Sequence, residues 1–470
     1  VTGGAPDQVA APEADLCDLE RCFEGGIPAV IATASADGTP NVTYLSRVRL
    51  VDGERVALSN QFFSKTVRNL AENPRASILL IDPLTYDEYR LCVVYERTER
   101  HGAVFDQLER DVEVAAVLQG MQDVFKLRAA DIYRVSRIER APRSARPIGA
   151  STGAPARPTP RGADDLVEGL AEVTARLGRC TDLETLVETT VSALADVLGF
   201  EHSLLLLRDE NGRHLYTIAS HGYEAGGVGS EVPMSEGIIG LTAARCTPIR
   251  LGNLRQLAKY SRSVRRSFEA SGHELPEREI PMPGLADAES RLAVPAMSGG
   301  QLVAVLAVES TEMLAFDARH EAALTVVASV VANAIEAERL RDPAESTAPP
   351  VTGDRRRADD ADLAVTQVRF YAADGSVFLD GDYLIKGVAG RILWSLLRHH
   401  DADGRVDFTN RELRLDPTLE LPEFRDNLDS RLLLLKRRLA ERDAPVQLEK
   451  TGRGRFALAV GTTLRLDAAG

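Results

Sequence analysis

Over the first 140 residues the apolar positions fall in short runs broken by turn residues, a pattern that predicts strands. Residues 27–33, 39–44 and 47–51 are three such runs, with an Asp37-Gly38 turn between the first two. Residues 56–58 form a fourth, rimmed by the polar Ser59, Asn60 and Gln61. Ser64-Lys65-Thr66 then opens a short helix that must end before Asn73-Pro74. Strands resume at 76–81, 90–98 and 132–138, around a second helix at 104–118. Few helices among many short strands predict a barrel rather than a parallel sheet.

From residue 164 the period changes. Leu166, Leu170, Val173 and Leu177 recur at helical spacing, and a second helix is expected over 183–198. Strands at 203–208 and 215–220 join through Asn211-Gly212, and strands at 290–297 and 302–310 join through Gly299-Gly300. A long helix, 317–340, closes this segment. Further on, strands at 368–370 and 377–379 flank Asp374-Gly375. A helix at 387–399 carries Ile392, Leu393, Leu396 and Leu397 on its buried side. Thr409 is a candidate N-cap, and a helix at 425–442 turns Leu428, Leu432, Leu435 and Leu439 inward. A hairpin follows, with strands at 446–449 and 455–460 and Gly452-Arg453-Gly454 at its tip.

Composition sets the boundaries. Residues 141–163 hold five prolines and no aromatic residue, and residues 342–362 are charged and nearly devoid of large apolar side chains. Neither can bury enough apolar surface to offset the entropy of ordering. They divide the chain of 470 residues into domains at 16–140, 164–341 and 363–470, preceded by a disordered arm at 1–15. That arm has neither the basic head nor the apolar block of a secretion signal, and no apolar run approaches the length of a membrane span. Five cysteines are scattered without close pairs, so neither a zinc site nor a disulfide framework is expected, and a reduced cytoplasm fits best. The net charge of −14 argues against one large nucleic-acid surface. A local exception is the stretch 431–455, where eight basic residues face three acidic ones.

The strand–turn–helix–strand order across 56–83, with Gly38-Thr39-Pro40-Asn41-Val42 and Ser46-Arg47-Val48-Arg49, resembles the pyridoxamine 5′-phosphate oxidase-like flavin-binding split barrels. A helix N-terminus carries unpaired N–H groups and partial positive charge, so a Ser and a Lys placed there suit a phosphate. The resemblance implies FMN, or a deazaflavin as in related barrels, with its phosphate held by Ser59, Asn60, Ser64, Lys65 and Arg47 or Arg49. It also implies a homodimer, because such barrels build the flavin site across a dimer interface. No segment equivalent to that family's C-terminal substrate site follows the closing strand, so pyridoxamine phosphate oxidation is not expected.

The second segment resembles a GAF domain, an α/β sandwich that holds a small ligand between its sheet and covering loops, here 224–236 and 253–287. Glu236-Gly237-Ile238-Ile239-Gly240, Thr247-Pro248-Ile249-Arg250-Leu251 and Ser290-Arg291-Leu292-Ala293-Val294-Pro295 carry the resemblance. The ligand is not readable; His221 is more readily a structural residue than a haem ligand. The third segment resembles the winged-helix DNA-binding output domain of response regulators, through its long helix and the Thr451-Gly452-Arg453-Gly454-Arg455 wing. That resemblance implies a DNA surface of Arg431, Lys436, Arg437, Arg438, Arg453 and Arg455. Asp426 and Asp429, at the start of the same helix, would face phosphates in a conventional docking, so protein contact stays open beside DNA.

Three functions remain open. One is a cytoplasmic regulator whose flavin and GAF domains sense and whose winged helix reports. Another is a flavin-dependent oxidoreductase with no catalytic residue identifiable from the chain. The third is an interaction scaffold.

Overall fold

The computed structural model describes residues 15–24, 27–45, 47–60, 64–119, 126–141, 163–209, 211–254, 280, 282–340, 365–419, 421, 428–452 and 454–469. A kinked 3-10 helix, Leu16–Phe23, leads into β1 (Ala29–Ala34), β2 (Pro40–Leu45), β3 (Val48–Asp52), β4 (Arg55–Asn60), α1 (Ser64–Glu72), β5 (Arg75–Ile81), β6 (Glu88–Glu99), α2 (Ala103–Gln119) and β7 (Ala129–Arg140). These strands form one sheet in the order β2-β1-β5-β6-β7-β4-β3. The two end strands are consecutive in the chain. The connection from Leu45 to Val48 can span at most about 10 Å, so the sheet must curl until its ends approach. This is an open barrel, and Ile31, Leu58, Ile78, Leu80, Leu91 and Tyr133 fill it.

The middle segment contains α3 (Ala163–Leu177), α4 (Leu183–Asp196), β8 (His202–Arg208), β9 (His214–His221), β10 (Glu231–Pro233), α5 (Gly237–Arg245), β11 (Ile249–Leu251), β12 (Ser290–Ser298), β13 (Gln301–Ser310) and α6 (Ala318–Leu340). Its antiparallel sheet runs β10-β9-β8-β13-β12-β11. On one face α3, α4 and α6 cover Leu205, Leu207, Leu292, Val294, Leu306 and Val308. The other face, with Leu204, Leu206, Ala293, Val305 and Ala307, packs against α5. Strand β13 is central and buried on both faces, which is why its sequence is continuously apolar instead of alternating.

The last segment contains β14 (Val365–Tyr371), β15 (Ser376–Leu379), β16 (Asp382–Ile385), α7 (Gly387–Asp403), β17 (Asp407–Thr409), α8 (Asn410–Leu415), α9 (Leu428–Glu441), β18 (Val446–Gly452), β19 (Arg455–Val460) and β20 (Thr463–Ala469). Strand β20, unforeseen in the sequence, pairs parallel with β14 and joins the sheet β16-β15-β14-β20. A second sheet, β17-β19-β18, carries the expected hairpin. Thr409 caps α8 as expected: its hydroxyl accepts from the Glu412 N–H, and the Glu412 carboxylate accepts from the Thr409 N–H. Gly390 on α7 lies so close to the β14–β15 turn that a β-carbon would stand 2.0 Å from the Gly375 carbonyl, so only glycine fits. Leu428, Leu435 and Leu439 of α9 are fully buried, as its spacing predicts.

Candidate functional sites

The expected flavin-phosphate residues lie around the start of β3 (Arg47, Arg49), the end of β4 (Ser59, Asn60) and the first turn of α1 (Ser64, Lys65), but they are not equally free. Ser59 is buried, and its hydroxyl accepts from the Arg47 N–H at 3.1 Å, so it positions Arg47 and has little left for a ligand. Arg47 donates from Nη1 to the Glu24 carbonyl at 3.1 Å. Arg49 is ion-paired with Asp111 of α2 at 2.9 Å. Asn60 donates to Asp131 at 2.9 Å, and Thr98 donates to the other Asp131 oxygen at 2.5 Å. Burial holds the Asp131 carboxyl above its ordinary range, against these two hydrogen bonds. Lys65 stands exposed in the first turn of α1 with no ion pair among the described residues. Ser64 opens that helix. Of the expected cations, Lys65 is exposed and Arg47 has no ion pair among the described residues, so the chemistry of the set suits an anionic group.

On the α5 face of the middle sheet, Arg291, Glu309 and His202 stand side by side on β12, β13 and β8. Glu309 is 2% exposed and ion-paired with Arg291. The Tyr223 hydroxyl donates to Glu309 Oε2 at 3.3 Å, and the Leu285 N–H donates to the same oxygen at 2.8 Å. The His202 ring meets Tyr223 edge-on at 5.5 Å. Burial, then the Glu309 charge, pushes the Tyr223 phenol well above its ordinary range. The sequence reading missed this set. Its signal was a pair of charged residues, Arg291 and Glu309, at the ends of otherwise apolar strands. His221 ends β9, and no cluster of metal-ligating side chains exists among the described residues. The basic stretch 259–266 (KYSRSVRR) lies outside them.

The expected nucleic-acid surface is turned inward. Arg431 lies over the Tyr216 ring at 4.2 Å. Lys436 pairs with Glu184 at 2.6 Å, and Arg437 pairs with Glu188 at 3.1 Å. Lys450 of β18 pairs with Asp182 at 2.7 Å. All four partners belong to α4, its N-cap or β9. Arg438 is buried within its own segment, donating to the Leu384 carbonyl at 3.0 Å and pairing with Glu441. Arg455 begins β19 opposite Thr409 and Gly452. Arg453 and Asp426 lie outside the described residues. Asp429 is held by Asn410 and Arg414. The residues expected to face DNA are thus engaged: carboxylates of the preceding segment pair with Lys436, Arg437 and Lys450, while Arg438 and Arg442 pair within their own segment.

Comparison with known proteins agrees with the first two segments. Residues 19–136 match the family model described as pyridoxamine 5'-phosphate oxidase, and residues 180–336 match that of the GAF domain. The chain therefore carries a split barrel of the pyridoxamine 5′-phosphate oxidase type followed by a GAF domain. Neither match reaches the third segment. One curated relative, an uncharacterized protein of Methanocaldococcus jannaschii, is 40% identical over 50 residues, 10% of this chain and 34% of the relative. The chain thus spans about a third of the length of that relative, at 34%. Among solved structures, an FMN-binding protein from Syntrophomonas wolfei is 15% identical, with 27% of this chain and 85% of that chain covered and a TM-score of 0.23. The GAF domain of a phosphoenolpyruvate-protein phosphotransferase from Coxiella burnetii is 21% identical, with 38% of this chain and 96% of that chain covered and a TM-score of 0.29. No helix among the described residues is long and apolar enough to cross a membrane.

Proposed function

We propose that this chain is a cytoplasmic sensor–regulator. Its barrel binds FMN or a deazaflavin, its GAF domain binds a small molecule, and its third segment is a winged-helix module that reports by binding DNA. The observation that carries the reading is the wiring of the flavin cradle. Arg47 donates to the carbonyl of Glu24, whose carboxylate grips Arg250 of the GAF domain. Arg49 pairs with α2, the helix that packs on α5. A phosphate that engages either arginine acts on the elements that hold the GAF domain. The Arg291–Glu309–Tyr223 set offers the GAF ligand a polar floor.

A homodimer is part of the proposal. Val42 and Tyr44 are 65% and 75% exposed on the edge strand β2. An apolar strip of this kind on a sheet edge favours a second copy.

The test is a visible absorption titration of the full chain with FMN and with a deazaflavin. Binding is expected, and Lys65→Ala should weaken it about tenfold by removing one charge-assisted contact. A chain that takes up neither flavin refutes the reading. Turnover of NAD(P)H by the flavin-loaded chain would instead favour an oxidoreductase.

A further inference from the structure

The helix that would meet DNA has two unlike faces. Leu428, Leu435 and Leu439 point into its own segment and are fully buried. The face toward the GAF domain carries Arg431, Leu434, Arg437 and Glu441, at helical spacings of three, three and four. Leu434 is the apolar member, close to Gly229. The others make polar contacts: Arg431 on Tyr216, Arg437 to Glu188 and the Ile218 carbonyl, and Glu441 from the Val228 N–H at 3.4 Å. Lys436 and Lys450 add pairs to Glu184 and Asp182. Around that apolar contact, which joins the two segments in one buried cluster, the interface is polar in the way of domains that separate. The central cation is also incompletely satisfied. Arg437 is 17% exposed in its side chain, and its Nε has no hydrogen-bond partner among the described residues. An unpartnered buried N–H costs free energy that release to water or to a phosphate recovers.

We infer that the α4–α9 contact is an autoinhibitory clamp: the carboxylates of Asp182, Glu184 and Glu188 occupy the basic face of α9 and β18 in place of DNA phosphates. This rests on the reading of the third segment as a DNA-binding module. Carboxylates spaced along one helix face offer Arg and Lys the same charge-assisted hydrogen bonds as a phosphate backbone. Because both partners lie on one chain, the carboxylates compete at an effective concentration of the order of millimolar. DNA binding then requires opening, and any ligand that moves α4 or β9 sets the open population. The GAF sheet links that control to the ligand face, since β9 neighbours β8, which carries His202.

The experiment compares the full-length wild type with Glu184→Gln/Glu188→Gln, using fluorescence anisotropy of a labelled duplex DNA at low salt. Hydrogen exchange across α9 is read in parallel. A second variant, Glu168→Gln/Glu172→Gln on the exposed face of α3, makes the same charge change away from the clamp. The clamp variant is expected to exchange faster in α9 and to bind DNA about tenfold tighter. The α3 variant should do neither, and adding Arg437→Ala to the clamp variant should abolish the gain. Equal DNA affinity of wild type and clamp variant, with α9 opened, would overturn the clamp while leaving the DNA reading intact. No DNA binding by either, with α9 opened, would overturn the DNA reading and the clamp with it. Unchanged exchange in α9 would overturn the clamp, because the carboxylates would then not be what holds the helix.

Discussion

The two joints of the GAF domain are built from different materials. At the joint with the barrel, Val114 of α2 is buried in the cluster that fills the α5 face of the sheet, and Glu113 pairs with Arg245 of α5. Beside it Arg250 bridges Glu24 at 2.7 Å and Glu321 of α6 at 3.2 Å, with Arg250 and Glu24 only 17% and 18% exposed. At the joint with the third segment a charged stripe surrounds Leu434, Lys386 pairs with Glu231 of β10 at 3.2 Å, and the buried apolar residues of the two segments belong to one cluster. The first joint sets the enclosed Arg250–Glu24 pair beside a buried valine, with the Glu113–Arg245 pair half-exposed. The second places a denser set of ion pairs around its apolar contact, groups that water or a polyanion also satisfies. The difference makes the third segment the one expected to open first.

The most damaging change should be Arg250→Ala. It leaves Glu24 and Glu321 facing each other without their shared cation, and removing one partner from an enclosed ion pair costs about 3 kcal/mol. Urea denaturation should show that loss in a transition shared by barrel and GAF domain. A loss below about 0.5 kcal/mol, in the range of exposed pairs, would mean the joint is no harder than the other. Glu184→Gln/Glu188→Gln comes next. Its pairs are partly exposed, so about 1 kcal/mol is expected, appearing as local opening of α9 with the global midpoint nearly unchanged. A comparable fall in the global midpoint would show the two joints to be one cooperative unit.

Acid should act on the joints with opposite sign. Burial outweighs Arg250 at Glu24 and holds its carboxyl above the ordinary 4.5. The folded state therefore favours the proton, and the contribution of Glu24 is fully present below 4.5 and is lost as pH rises through the folded value. At Asp182, burial is outweighed by the hydrogen bonds from Lys450 and Thr185, which hold the carboxyl below the ordinary 3.8. Its contribution is present above 3.8 and is lost as pH falls through the folded value. Lowering the pH from 7 toward 4 should leave α9 docked, with the barrel joint gaining; further acid should free α9 first. Hydrogen exchange at pH steps separates the two, and Glu24→Gln should flatten only the upper limb.

Much of this architecture was legible in the chain, and the misses share a cause. The strand at 302–310 and the helix at 64–72 were found within a residue or two because apolar runs and Asn73-Pro74 mark them locally. The split barrel and GAF orders followed from such signals in sequence. Strand β20 was missed although Leu464 and Leu466 alternate with Thr463, Arg465 and Asp467, because its partner β14 lies about a hundred residues away and nothing local announces the pairing. The residues expected at a flavin phosphate were readable from local motifs, yet not which of them the fold engages elsewhere. Nothing near Arg49 or Asn60 announces that Asp111 and Asp131 will claim them. The basic stretch 431–455 was read as a DNA surface, without the carboxylates that three of its cations meet. Its acidic counterpart, Asp182 to Glu188, is an ordinary helix start when read alone. Interfaces between segments are properties of two distant stretches, and periodicity speaks only for one.

The smallest effect should come from Arg442→Ala, and that change sharpens the contrast most economically. Arg442 belongs to the same basic stretch and pairs with Asp382 at 2.9 Å, but the two side chains are 42% and 78% exposed and both lie in the third segment. Solvent screening leaves such a pair within about 0.5 kcal/mol of zero. If charge count alone held α9 to the GAF domain, removing any cation of the stretch would loosen it alike. If position decides, Arg442→Ala leaves α9 exchange and thermal midpoint as in the wild type, while Arg437→Ala speeds exchange along the helix. Equal exchange in the two variants would mean that position along the stretch does not decide what holds α9.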